Sequence, residues 1–219
     1  MSNIAIKGAA TGTGVFTLES PATNTNRTLV LPDEAGTVLT SVSSIAAGNL
    51  TGALLSSAMP AGSVLQVVST VDTGFRSSGV NTFTEVSTAW RLSITPSSAS
   101  SKLILSAQFC ENRYSGAALT IYQAKFYDVT NSSNVFVGAS LGSRNPSTIT
   151  WRGSHGDDND VDEHLMYAIV DASNTTARTY TIYYKSESGA LTFFNRSTAD
   201  NSTYGWTAPF IFTIMEIAA

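Results

Sequence analysis

The feature that most constrains this chain is the period of its apolar residues. Trp90-Arg91-Leu92-Ser93-Ile94 is apolar at every second position. On a strand, successive side chains point to opposite faces, so this period belongs to a strand with one face buried. Pro96-Ser97-Ser98-Ala99-Ser100 then supplies a turn, and Lys102–Phe109 returns with the same character. The pair reads as a hairpin. Similar runs follow at 64–68, 118–127, 134–139, 165–170, 179–185, 191–195 and 210–217, with Asn, Gly and Ser between them. No 3.6-residue repeat runs through this part. Nine or ten short strands over 63–219 predict an all-β, antiparallel β-sandwich of jelly-roll type.

The polar residues agree with that prediction. Only 13% of the 219 residues are charged, about half the usual share. Their place is taken by 30 Ser, 28 Thr and 13 Asn. Short polar side chains compete for backbone hydrogen bonds and weaken helices, whereas Thr and the 21 aromatics suit a pleated surface. Twelve basic residues against 16 acidic ones, with no basic cluster, argue against a nucleic-acid partner. No apolar run reaches the ~18 residues needed to span a bilayer, and no export signal opens the chain, so neither membrane insertion nor secretion is expected. The lone Cys110, within Leu103–Cys110, reads as a buried, inert thiol in a chain that does not depend on oxidation.

Residues 1–62 have no core of their own. Short β-like pieces at 15–18, 27–31 and 36–40 are separated by Pro21, Asn24, Asn26 and Pro32-Asp33-Glu34-Ala35-Gly36. Residues 41–62 are rich in Ser, Ala and Gly, with isolated Leu and Ile at 45, 50, 54 and 55. One copy of such a segment buries too little surface to offset its ordering entropy. It is expected to form an extended stalk (1–62) intertwined with copies of itself, ahead of the sandwich head (63–219).

The stretch from Gly12 through Arg27-Thr28-Leu29-Val30-Leu31-Pro32-Asp33-Glu34-Ala35-Gly36 to Thr40 resembles a module common in tailed-phage fibre proteins. Asn49-Leu50-Thr51-Gly52 with Met59-Pro60-Ala61-Gly62-Ser63-Val64-Leu65-Gln66 is similar to their stalk-to-head junction, and the ending Phe212–Ala219 to their final strand. The resemblance implies a parallel homotrimer assembled in the host cytoplasm as part of the virion. Its N-terminal segment would join other phage tail or virion proteins. Its distal head would bind a host surface glycan or an outer-membrane protein, without catalysis and without a cofactor. The alternatives are a connector or capsid-decorating fibre that binds no receptor and, in third place, a glycan-cleaving tailspike.

Candidate chemistry is sparse. Gly138-Ala139-Ser140-Leu141-Gly142 matches G-x-S-x-G, with Asp157 or Asp158 and then His164 following in α/β-hydrolase order. That motif works only at a sharp strand-to-helix turn, and here it precedes a loop-like Ser143-Arg144-Asn145-Pro146-Ser147. Asp157, Asp158, Asp160, Asp162 and Glu163 crowd within seven residues, and Asp158-x-Asp160-x-Asp162 resembles the start of a calcium loop. Glu163 where Gly is needed and Ile169 where the bidentate Glu belongs exclude an EF-hand and leave an irregular Ca²⁺ or Mg²⁺ site or a partner-contacting loop as alternatives. The bland reading is a solvated loop. His155 and His164, nine residues apart, make a weak metal pair, so no metal is expected. The connection 140–164 is long for a loop and carries an aromatic beside charged groups. Trp151, Arg152, His155, Asp157, Asp158 and Asp160 are therefore the receptor-binding candidates, joined by Tyr204 and Trp206. Trp151 remains open between a loop anchor and a core residue, because Ile149-Thr150-Trp151 can form a strand. Arg113 and Tyr114 are a weaker candidate. Six Asn-x-Ser/Thr sequons reflect composition rather than glycosylation.

Overall fold

A computed structural model describes residues 11–15, 17, 22–26, 28, 58–113, 120–153, 160–198, 203 and 205–219. The chain divides into two compact units, Met1–Thr51 and Gly52–Ala219. In the first, the described residues are exposed and irregular, so the predicted β-like pieces of the stalk largely lie outside what is described.

In the second, the described residues form β1 (Val64–Asp72), β2 (Arg76–Ser78), β3 (Thr84–Glu85), β4 (Leu92–Ile94), β5 (Lys102–Arg113), β6 (Thr120–Asp128), β7 (Ser133–Val135), β8 (Ile149–Gly153), β9 (Asp162–Asp171), β10 (Arg178–Ser186), β11 (Thr192–Phe194) and β12 (Phe210–Ile217). Every pairing is antiparallel. One sheet runs β1-β12-β5, with β9 on the far side of β5 and the short β11 and β2 continuing beyond β12 and β1. The other runs β3-β10-β6-β7, with β4 also on β10 and β8 also on β6. The two sheets share one core, in which Leu103, Leu105, Met166, Phe212 and Ile214 meet Leu92, Phe126, Tyr180, Ile182 and Tyr184. The architecture is all-β and consistent with a jelly roll.

The expected hairpin of β4 and β5 does not form. β4 pairs with β10 in one sheet and β5 with β9, β11 and β12 in the other. The Pro96–Ser100 turn carries the chain across the core, and Leu92 and Ile94 face Leu103 and Leu105 from opposite sheets. Alternation specifies a buried face and does not say which neighbour supplies the ladder.

Glu216 on β12 holds this crossover. Its buried carboxylate accepts Gln66 Nε2 (2.6 Å), Ser97 N (2.8 Å), Ser97 Oγ (2.9 Å) and Ser98 N (3.2 Å). Burial raises its pKa, but these donors outweigh that effect and hold the carboxyl at about 2. A depressed carboxylate stabilises the fold fully above its unfolded pKa, and the gain vanishes as pH falls through the folded value. Glu216→Gln is therefore expected to lower stability by roughly 3 kcal/mol at pH 7. The gap between variant and wild type in urea midpoints should close between about pH 5 and pH 2. A gap independent of pH would contradict the assignment.

Opposite faces of the two sheets differ in kind. Outward positions of β6 and β10 carry Ile121, Gln123, Lys125, Tyr127, Thr179, Thr181, Tyr183 and Lys185, of which only Ile121 is aliphatic. Phe83 caps the two lysines, 3.8 Å and 5.6 Å from their ammonium groups, and Tyr127 stacks on Tyr183 at 4.1 Å. The outward face of the other sheet carries two apolar rows, with Ser69, Thr213, Ser106 and Tyr167 in the row between them. Val71, Ile211 and Leu165 flank Gln108, and Val67, Met215, Ile104 and Ile169 form a continuous row. Leu165 is 61% exposed, Val71 59%, Ile169 52% and Tyr167 50%.

Candidate functional site

Strand β5 carries its inward alternation from Leu103, Leu105, Ala107 and Phe109 into Glu111 and Arg113. The hydrophobic period thus continues with a carboxylate and a guanidinium in core positions. β9 does the same in reverse, since Asp162 and His164 precede Met166 and Ala168 on its inward face. The register sets Glu111 opposite Asp162 and Phe109 opposite His164. The result is a buried polar cluster at one end of the sandwich, between the sheets.

Glu111 is fully buried. Its Oε1 accepts Arg113 Nη2 at 2.7 Å and Nε at 3.0 Å, and Trp151 Nε1 at 2.9 Å. Arg113 is 1% exposed and also pairs with Asp162, whose side chain is 42% exposed. The guanidinium lies 4.4 Å from the Tyr122 ring centre. Gly153 makes room for it, because a Cβ there would collide with Arg113 Nη1. Burial pushes the Glu111 carboxyl up, but the neighbouring His164 and Arg113 outweigh it and hold the group below the usual carboxylate range. His164 stacks on Trp151 with ring centres 4.1 Å apart and lies 5.2 Å from Phe109.

Asn112, also buried, ties two connections to this end. Its amide donates to the Asp160 carbonyl, and its oxygen accepts from Thr198. Asn195 (φ 67°) turns the chain out of β11, a left-handed conformation that Asn tolerates. Connections 114–119, 154–161 and 195–209 start or end on residues of this cluster's strands.

The predicted receptor residues separate. Trp151 sits on β8 with its ring packed on the core, near Tyr122 and Tyr184, which realises the core alternative. The supposed long connection 140–164 is therefore two, with β8 inside it. Arg152, the next residue, is exposed on the outward face of its sheet. Asp160 is half-buried beside Asn112, and Trp206 is half-buried, its backbone joined to Ser197 at 3.0 Å and 3.2 Å. His155, Asp157, Asp158, Tyr204 and Tyr114 lie outside the described residues. The strand pleat splits the acidic run, turning Asp162 inward and Glu163 outward, so a converging calcium loop does not form from these two. Ser140 is exposed in irregular chain with no helix after it, unlike the strand-to-helix turn of a hydrolase nucleophile. Cys110 faces outward on β5 and is half-buried rather than core; burial, then the Glu163 carboxylate, pushes its thiol pKa up.

Sequence reasoning missed Glu111, Asp162 and His164 as one group. A signal was present: charged residues in the core phase of a long alternating strand. No protein-family model and no curated protein sequence matches this chain.

Proposed function

We propose that the chain is a non-catalytic virion appendage protein of the tail-fibre kind, working as a parallel homotrimer. Residues 1–62 form the attachment stalk, and the head contacts a host surface component. One observation carries this reading: the outward face of β1, β12, β5 and β9 exposes two apolar rows, in which Val67, Val71, Leu165 and Ile169 are each more than half exposed. Soluble monomers rarely expose an apolar patch of that extent, so it fits an interface between copies of the chain. The stalk motifs favour three copies. Host contact is assigned to connections at the Glu111 end of the head, where Asp160, Trp206 and the weakly charged, hydroxyl-rich chain suit glycan hydroxyls. Among the described residues no helix is long and apolar enough to cross a membrane.

Light scattering is expected to give roughly 69 kDa, three times the 23.1 kDa chain. Ile169→Asp with Leu165→Asp should reduce this to the monomer while the strand circular dichroism persists. A wild-type monomer would reject the trimer. Labelled full-length protein is expected to bind intact cells of some members of a bacterial strain panel, saturably. No binding across the panel would favour the connector or decorating fibre.

A further inference from the structure

We propose that Glu111, Asp162 and His164 form a binding site for a divalent first-row transition-metal ion, with Zn²⁺ the best match. One ligand atom from each residue lies within 4.8 Å of the other two. Two ligands on a tetrahedral zinc are about 3.4 Å apart, so small side-chain adjustments close the site. His164 Nε2 lies 3.5 Å from the nearer oxygen of the Glu111 carboxylate, Oε1, which is long for a hydrogen bond.

A second observation points to a ligand. Glu111 is fully buried, yet its Oε2 has no hydrogen-bond partner, and neither has the buried Nε2 of His164. Buried polar atoms are normally satisfied, and a shared cation satisfies both at once. Trp151 and Arg113 occupy Oε1 of Glu111, which leaves Oε2 as the coordinating oxygen. The His164 ring is fixed by its stacking on Trp151. Such outer contacts orient metal ligands.

Charge is compatible. Two carboxylates, one guanidinium and a neutral imidazole sum to −1, and a dication brings the cluster to +1. An imidazole with two carboxylates suits zinc, cobalt or nickel better than calcium or magnesium, which prefer all-oxygen shells. Three protein ligands leave a fourth position for water or an exogenous oxygen. This site is independent of the role proposed above, since it can be structural in a fibre or in any other protein.

The test uses untagged full-length protein stripped with chelator. Calorimetry with Zn²⁺ is expected to show one ion bound per chain, undisturbed by excess Ca²⁺. Co²⁺ should quench tryptophan emission through Trp151, and Zn²⁺ should reverse the quenching. His164→Gln should weaken Zn²⁺ binding on the order of 100-fold. Asp162→Asn, at a partly exposed position, should also weaken it if His164→Gln folds poorly. His155→Ala should bind as wild type does. Trp151→Phe should lose most of the quenching by Co²⁺. Absence of saturable Zn²⁺ binding by wild type, equal binding by His164→Gln and Asp162→Asn, or loss through His155→Ala instead would overturn the proposal.

Discussion

Glu111→Ala is expected to lower stability by about 3–5 kcal/mol, measured by urea unfolding in the presence of chelator. The substitution leaves Arg113, 1% exposed, with Asp162 as its remaining ion-pair partner, and Asp162 is itself 42% exposed. It also removes the acceptor of Trp151 Nε1. Removing one member of a buried pair strands the other charge, and that penalty exceeds what the pair contributed. The companion experiment separates the two effects. Glu111→Leu combined with Arg113→Met removes both charges and keeps volume, and should recover most of the loss. Equal destabilisation by the single and double variants would show that the cluster's worth lies in packing or in the Trp151 bond.

The second large effect is expected at Trp90. Trp90→Ala should cost about 3–5 kcal/mol, or a fall in Tm of roughly 6–20 °C for a chain of this size. The indole is fully buried and stacks flat on Phe210, with ring centres 3.9 Å apart and planes within 1°. It meets Phe194 edge-on at 5.6 Å. Its Nε1 donates to Asp72 Oδ2 at 2.8 Å, at the end of β1. Trp90 ends a short 3-10 turn (Thr88–Trp90) just before β4, so its ring joins the start of one sheet to β1, β11 and β12 of the other. Trp90→Phe keeps part of the stack and loses the indole bond, so it should cost less than half as much. A loss under about 1 kcal/mol for the alanine variant would mean that the core closes over the gap.

Much of the fold was legible because strand alternation is local. Most strands predicted over 63–219 are present, although the run at 134–139 is strand only as far as Val135, and the even phase of Trp90, Leu92 and Ile94 is the buried phase. Trp90 keeps that burial although it sits in a turn rather than in the strand. β2 and β3 were not assigned, and β8 was left open as one of two readings of Ile149-Thr150-Trp151. β2 and β3 are only three and two residues long, too short for alternation to register, and β8 has a charged neighbour at Arg152. The β4–β5 hairpin was read wrongly because a turn between two alternating runs looks the same whether the second run pairs with the first or crosses to another sheet.

The candidate site was legible only in fragments. Asp162 and His164 drew notice as members of an acidic run and a loose histidine pair, and Trp151 as either a loop anchor or a core residue. Their common partner, Glu111, lies 51 residues before Asp162 and drew none. Contact across that separation depends on the β5–β9 register, which no local pattern encodes.

The sequence by itself determined the class of fold and the hydrophobic phase of its main strands, since side-chain direction on a strand follows from the period alone. Its expectation that residues 1–62 lack a core falls mostly on residues outside those described. Tertiary structure decided which strands share a sheet and which outward face exposes apolar rows. It also decided that Glu111, Arg113, Trp151, Asp162 and His164 meet at one end of the sandwich. Pairing depends on packing between distant segments, and burial of charge becomes tolerable only once those segments supply the partners.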